Sequence, residues 1–184
     1  MDFSIKAFDT KNTLQAAKSG CIAVAVFENK KMSAQAKALD QGGEIAAALK
    51  SGDITGKPGS TLMLRNVSKS GAERILLVGM GNDETVSEKA FTTGVQATMK
   101  AFGSIGAADA IIALPLENVK GRDLGWAIRA CVIAGHEAVF RTDGQKSKKD
   151  PAPAGVKKVA LAVPVNAASK AALAQAEAIA NGMD

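Results

Sequence analysis

Few side chains in this 184-residue sequence are of the kinds that make and break bonds, and their placement limits what they can do together. His136 is the single histidine, and the two cysteines, Cys21 and Cys131, stand far apart in apolar stretches. Zinc sites built from His and Cys need about three or four such ligands. Any Ser-His-Asp or Cys-His device would have to use His136. That residue lies beside Glu137, off the apolar stripe of its helix, which suits a surface or partly buried imidazole. Asp83, Glu84 and Glu88 cluster where a helix begins. A cation could be held there, but carboxylates at that end are ordinarily favoured by the helix dipole, and this is the simpler reading.

Gly79-Met80-Gly81 falls between a strand and a helix, as a phosphate-binding turn does. The full pattern asks for a third glycine where this chain has Glu84, and Asp83 and Glu84 would repel a pyrophosphate, so a plain strand-to-helix turn is the simpler reading. Lys146, Lys148, Lys149, Lys157 and Lys158 form the one concentration of positive charge and are the candidate nucleic-acid contacts, through phosphate. No aromatic is interleaved for base stacking, and Asp143 and Asp150 dilute the charge, so a solvated loop competes with that reading. No set of residues supplies a nucleophile, a base and an oxyanion donor together. The sequence therefore assigns no catalytic residue and no metal ligand.

The elements that must position these residues are those of one large domain, or a domain with an appendage. Hydrophobic residues make up 47% and charged residues 22%, which places the chain with globular proteins and away from disordered ones. Six Phe, one Trp and no Tyr leave a core of Ala, Val, Ile and Leu with closely approaching helices. The net charge of +5 permits anionic partners without requiring them. No apolar run approaches the length of a membrane span. The opening Met1-Asp2-Phe3-Ser4-Ile5-Lys6 lacks the basic-then-apolar pattern of a signal peptide. With two buried thiols, the setting expected is a reducing cytoplasm.

Residues 3–8 alternate and predict a half-exposed strand; 21–27 (CIAVAVF) predict a buried one. Ser33 caps a helix to about Gln41, Gly42-Gly43 interrupts it, and a second piece ends at Gly52. Residues 61–67 and 74–79 predict two antiparallel strands joined by a hairpin-length loop. Ser87 caps a long helix with an inner stripe of Phe91, Val95, Thr98, Phe102 and Ile105. A strand over 108–114 comes next, then a helix capped by Asp123 with an inner face of Leu124, Ile128, Cys131, Gly135 and Ala138. The segment 142–155 predicts a long mobile loop. A strand over 156–163 and an Ala-rich helix from Ala168 to about Met183 complete the chain. In that helix Ala171, Ala174, Ala178 and Ile179 are the expected packing positions. Asn181-Gly182 is either a true cap or the arbitrary end of a fragment. Strands alternating with helices, several of them apolar throughout, predict an α/β fold: a three-layer α/β/α domain with a mixed, mostly parallel sheet.

Four stretches in one order carry a family resemblance: CIAVAVFENKKMSAQAKALD (21–40), GDITGKPGSTLML (52–64), ERILLVGMGN (73–82) and VKGRDLGWAIRACVIA (119–134). Together they resemble the N-terminal domain of the bacterial leucyl (cytosol) aminopeptidases. The resemblance implies a macro-domain-like fold over residues 1–165, and over 166–184 a connector helix toward a C-terminal catalytic domain. In the parent it implies removal of an N-terminal residue, often Leu, from peptides in the cytoplasm. It also implies two divalent metals, zinc or manganese, held by Asp, Glu and Lys of the C-terminal domain near a signature resembling Asn-Thr-Asp-Ala-Glu-Gly-Arg-Leu. That string is absent from these residues, so no metal ligand or catalytic residue carries over, and the fragment alone is expected to be inactive. The domain's implied part is architectural, in a homo-hexamer and in substrate access. Some bacterial members bind DNA, which offers the lysines a role. A freestanding macro-like nucleotide-binding module is the remaining alternative. Gly79-Met80-Gly81 and Gly103-Ser104-Ile105-Gly106 do not reproduce the ADP-ribose loops of true macro domains, so nucleotide binding does not follow from the fold.

Overall fold

The computed structural model of the protein describes residues 1–82, 84–144 and 155–182. Its elements run β1 (Asp2–Lys6), β2 (Ile22–Phe27), β3 (Lys31–Met32), α1 (Ala34–Leu39), α2 (Glu44–Ser51), β4 (Thr61–Arg65), β5 (Arg74–Gly79), α3 (Glu88–Phe102), β6 (Asp109–Ala113), α4 (Leu124–Gly144), β7 (Lys158–Ala162) and α5 (Ala167–Asn181). The strands form one seven-stranded sheet in the order β1-β7-β6-β2-β5-β4, with β3 attached to β2. The contacts β1/β7, β7/β6, β6/β2 and β2/β5 are parallel; β4/β5 and β2/β3 are antiparallel. This is the mixed, mostly parallel sheet that the apolar strands required.

Strand β2 shows why the sheet needs helices on both faces. All six of its residues are buried. Ala23, Ala25 and Phe27 enter the core beneath α3, α4 and α5, together with Phe91, Phe102, Ile128 and Cys131. Ile22, Val24 and Val26 enter the opposite core with Leu39, Ile45 and Leu49 of α1 and α2. Side chains alternate across a strand, so a strand apolar at every position must be covered twice.

Caps fix where the helices begin. Ser33 Oγ accepts from the Ala36 N–H and Ser87 Oγ from the Ala90 N–H. Asp123 Oδ1 accepts from the Trp126 N–H at 2.8 Å, at the start of α4. Gly52 adopts φ +82 at the end of α2. A two-residue strand, β3, is one element that periodicity does not predict. β6 pairs with β2 only from Ile22 to Val24, which leaves Val26 and Phe27 to take Met32 and Lys31.

The face of α5 is a correction. Ser169, Ala176 and Ala180 are buried and Ala172 and Leu173 are packed against the core, whereas Ala171, Ala174, Ala178 and Ile179 are exposed. The cause lies in α4, where Gly125 is so placed that a Cβ there would touch the Cβ of Ala172. Positions 172, 176 and 180 let the two helices approach, and a sequence this rich in alanine carries no signal that fixes the rotation of the helix. The helix packs against α4 and β1, so residues 166–182 form part of the domain's outer layer.

Candidate functional site

Parallel sheets gather ligands beyond the carboxyl ends of their strands. In this protein that end is closed at β2 and β5 by the protein's own loops. Gly79 donates to the Ser60 carbonyl at 2.7 Å, Met80 to Val26 at 3.0 Å and Gly81 to Gly56 at 3.0 Å, while the Gly81 carbonyl accepts from Glu28 at 2.8 Å. The N–H groups that a phosphate would need are thus already engaged. A Cβ at Gly79 would overlap the Lys57 carbonyl oxygen and Ser60 Oγ. One at Gly56 would overlap the backbone of Phe27. These glycines serve close backbone packing, and the 52–60 loop seals the ends of β2 and β5.

An open cleft of about 480 Å³ remains beside that seal, with Glu28, Pro58, Asn82, Ser87 and Lys120 on its walls. Its back is braced by a bridge between Val86 and Val119. Of the acidic cluster at the start of α3, Asp83 lies outside the described residues and Glu84 is exposed. Glu88 Oε2 accepts from Arg122 Nε at 2.9 Å. The Arg122 guanidinium also lies 5.3 Å from the ring centre of Trp126, which packs against Phe91 at 5.8 Å. Glu88 is therefore held by an arginine and an aromatic platform, a structural link between α3 and α4. Sequence reasoning did not single out Trp126; its only signal was being the sole tryptophan three residues past a helix cap. No three His, Cys, Asp or Glu side chains converge among the described residues in a way that could hold a metal.

His136 is partly buried on α4, one residue beyond Gly135, whose missing side chain leaves room for Phe3. Cys21 and Cys131 are free, buried thiols, and burial pushes both up to about 12. They behave as apolar core residues, without the thiolate that reactivity needs.

At the amino ends of the strands, Asp109 accepts from Ser19 Oγ at 3.0 Å and from the Gly20 N–H at 3.3 Å, and Arg74 donates to the Gly20 carbonyl. This network ties β2, β5 and β6 together. Lys146, Lys148 and Lys149 lie outside the described residues. Lys157 and Lys158 are exposed at this same end, and the register sets Lys158 directly between Asp2 of β1 and Asp109 of β6.

The geometry thus supplies a modest cleft beside the sealed ends of β2 and β5 and no metal-holding cluster of His, Cys, Asp or Glu among the described residues. The model of the cytosol aminopeptidase family, N-terminal domain, matches residues 23–149. A probable cytosol aminopeptidase of Herminiimonas arsenicoxydans is 59% identical over 186 residues, covering all of this chain and 37% of that protein. The chain thus spans about 37% of the length of such relatives. Among solved structures, a tomato leucine aminopeptidase mutant superposes with a TM-score of 0.69 at 19% identity, over 99% of this chain and 36% of that one. The macrodomain of Mycobacterium tuberculosis DarG gives 0.58 at 15% identity, over 88% of this chain and 98% of that one. At such identities the likeness concerns the fold.

Proposed function

The chain belongs to the cytosol aminopeptidase family, as its N-terminal domain, and from that premise we propose that it is the non-catalytic domain of a leucyl aminopeptidase whose reacting groups lie outside these 184 residues. The observation that carries this reading is the match to the N-terminal family model by a chain that accounts for 37% of its relative. The site geometry supports it from the other side. Glu88 is committed to Arg122, and the described carboxylates, thiols and imidazole do not converge.

In this reading the parent releases N-terminal residues, often Leu, from peptides in the cytoplasm. Two divalent metals, zinc or manganese, would polarise the scissile carbonyl and acidify a bridging water. The residues described here do not fit those metals, so no step of the reaction is assigned to this domain. Its own contribution is mass and surface: a rigid sheet that shapes a hexamer and limits access of substrates, with α5 as the connection to the catalytic half of the parent.

The DNA-contacting alternative draws least support, because Lys158 stands between two aspartates in the sheet. The nucleotide-binding alternative is opposed by the closed Gly79-Met80-Gly81 turn. The reading is tested by deleting residues 1–165 from the longer protein. The expected result is an altered assembly mass by light scattering and a changed preference for peptide length, with turnover of a leucyl amide retained by folded subunits. Loss of turnover from correctly folded subunits would overturn it.

A further inference from the structure

Among the described residues, strand β4 ends the sheet and its outer edge is unpaired. The Ser60 carbonyl accepts from Gly79 and the Asn66 N–H donates to Glu73, so the even-numbered residues of β4 turn their backbone groups toward β5. Thr61, Met63 and Arg65 therefore turn theirs outward. No proline or internal bulge interrupts the five residues, and three consecutive apolar side chains, Leu62, Met63 and Leu64, are only partly buried. Edges of this kind are usually blunted; here charge alone, from Arg65 and the flanking lysines, guards the edge, and it repels only strands of like charge.

A groove of about 580 Å³ runs between this edge and the last turns of α3, with Met63, Ala101 and Ile105 on its floor and Thr61, Arg65 and Ser104 on its rim. None of its lining residues is acidic. Lys57 before the strand, Lys69 after it and Lys100 beside the groove are all exposed. The nearby carboxylates are engaged: Glu73 binds Arg74 at 2.9 Å, and Glu44 accepts from the Ser68 N–H at 3.0 Å.

We propose that the β4 edge and its groove take an acidic, extended peptide segment as an added strand. The outward N–H and C=O groups of Thr61, Met63 and Arg65 supply the ladder, alternate apolar side chains of the segment lie over Met63, Ala101 and Ile105, and its carboxylates meet Arg65 and Lys100. Charge selects this occupant over a second copy of the chain. A two-fold pairing centred on Met63 would bring Lys57 of each copy toward Lys69 of the other, so like charges would face each other at both ends. The inference does not depend on the peptidase assignment.

The test uses the 184-residue chain, whose sheet carries a buried hydrophobic cluster on each face. The probe is a fluorescent peptide of alternating Glu and Val, acetylated and amidated at its ends, with a Lys-Val peptide as control. Anisotropy is expected to show binding of the Glu-Val peptide at least about tenfold tighter than the control, weakening as salt rises. Arg65→Glu should weaken it by about tenfold. Thr61→Pro removes an outward N–H without touching the β5 ladder and should do the same, with the thermal midpoint nearly unchanged. No binding up to millimolar peptide, equal binding of both peptides, or indifference to both variants would overturn the proposal. So would a concentration-dependent dimer abolished by Thr61→Pro in a protein that ignores the peptide.

Discussion

At the scale of single residues, the chemistry of this domain is that of side chains kept from reacting. Cys21 and Cys131 are buried with thiols pushed up to about 12. At about pH 8 the native protein should leave an aromatic disulfide reagent uncoloured, and unfolding should release both thiols; rapid reaction of the native protein would contradict their placement. Gly79 is confined by the Lys57 carbonyl and Ser60 Oγ. Gly79→Ala should cost about 1–3 kcal/mol in denaturant titration, because a backbone atom cannot swing aside as a side-chain end can.

Glu44 is held below its ordinary 4.5 by hydrogen bonds from Ser68, through its side chain and its backbone N–H. A depressed carboxyl stabilises the folded state above its unfolded value, and that contribution fades as pH falls through the lower, folded value. The melting difference between the wild type and Glu44→Gln should therefore be present near pH 6 and fade as the pH falls below 4.5 through the lower, folded value. A difference independent of pH would exclude the Ser68 contact as its source.

At the scale of elements, local signals and packing signals separate cleanly. The caps at Ser33, Ser87 and Asp123 were legible because a side chain bonding two or three residues ahead is a matter of sequence alone. Ser33→Ala or Ser87→Ala should each cost about 1 kcal/mol. The rotation of α5 was not legible, since alanine fills so many of its positions, AASKAALAQAEAIAN, that every face looks alike. A pair of substitutions reads that rotation directly. Ala176→Leu, on the buried side, should destabilise by about 1–3 kcal/mol, and Ala174→Leu, on the exposed side, by less than about 0.5 kcal/mol. The reverse ranking would rotate the helix back to the face expected from sequence. The two-residue β3 escaped for another reason: it exists because β6 stops short along β2, which is a property of the sheet and of no local pattern.

At the scale of the whole molecule, the layered architecture followed from the continuously apolar strands, which demand cover on both faces. The site was harder to read. The Gly79-Met80-Gly81 pattern is the same string whether its N–H groups meet a phosphate or the neighbouring loop, and only the fold decides between them. Glu88 likewise looks like a free carboxylate until Arg122, 34 residues on, is brought to it. What remains is a scaffold with an exposed outer surface on α5, where Ile179 keeps 39% of its surface in solvent, and no converging reactive groups among the described residues. The most direct measurement is turnover of a leucyl chromogenic amide with added manganese, by the purified 184-residue chain beside a full-length relative from the cytosol aminopeptidase family. The proposed reading predicts release of the chromophore by the relative and none above background by this chain; metal-dependent release by this chain would contradict the proposal that the domain is non-catalytic.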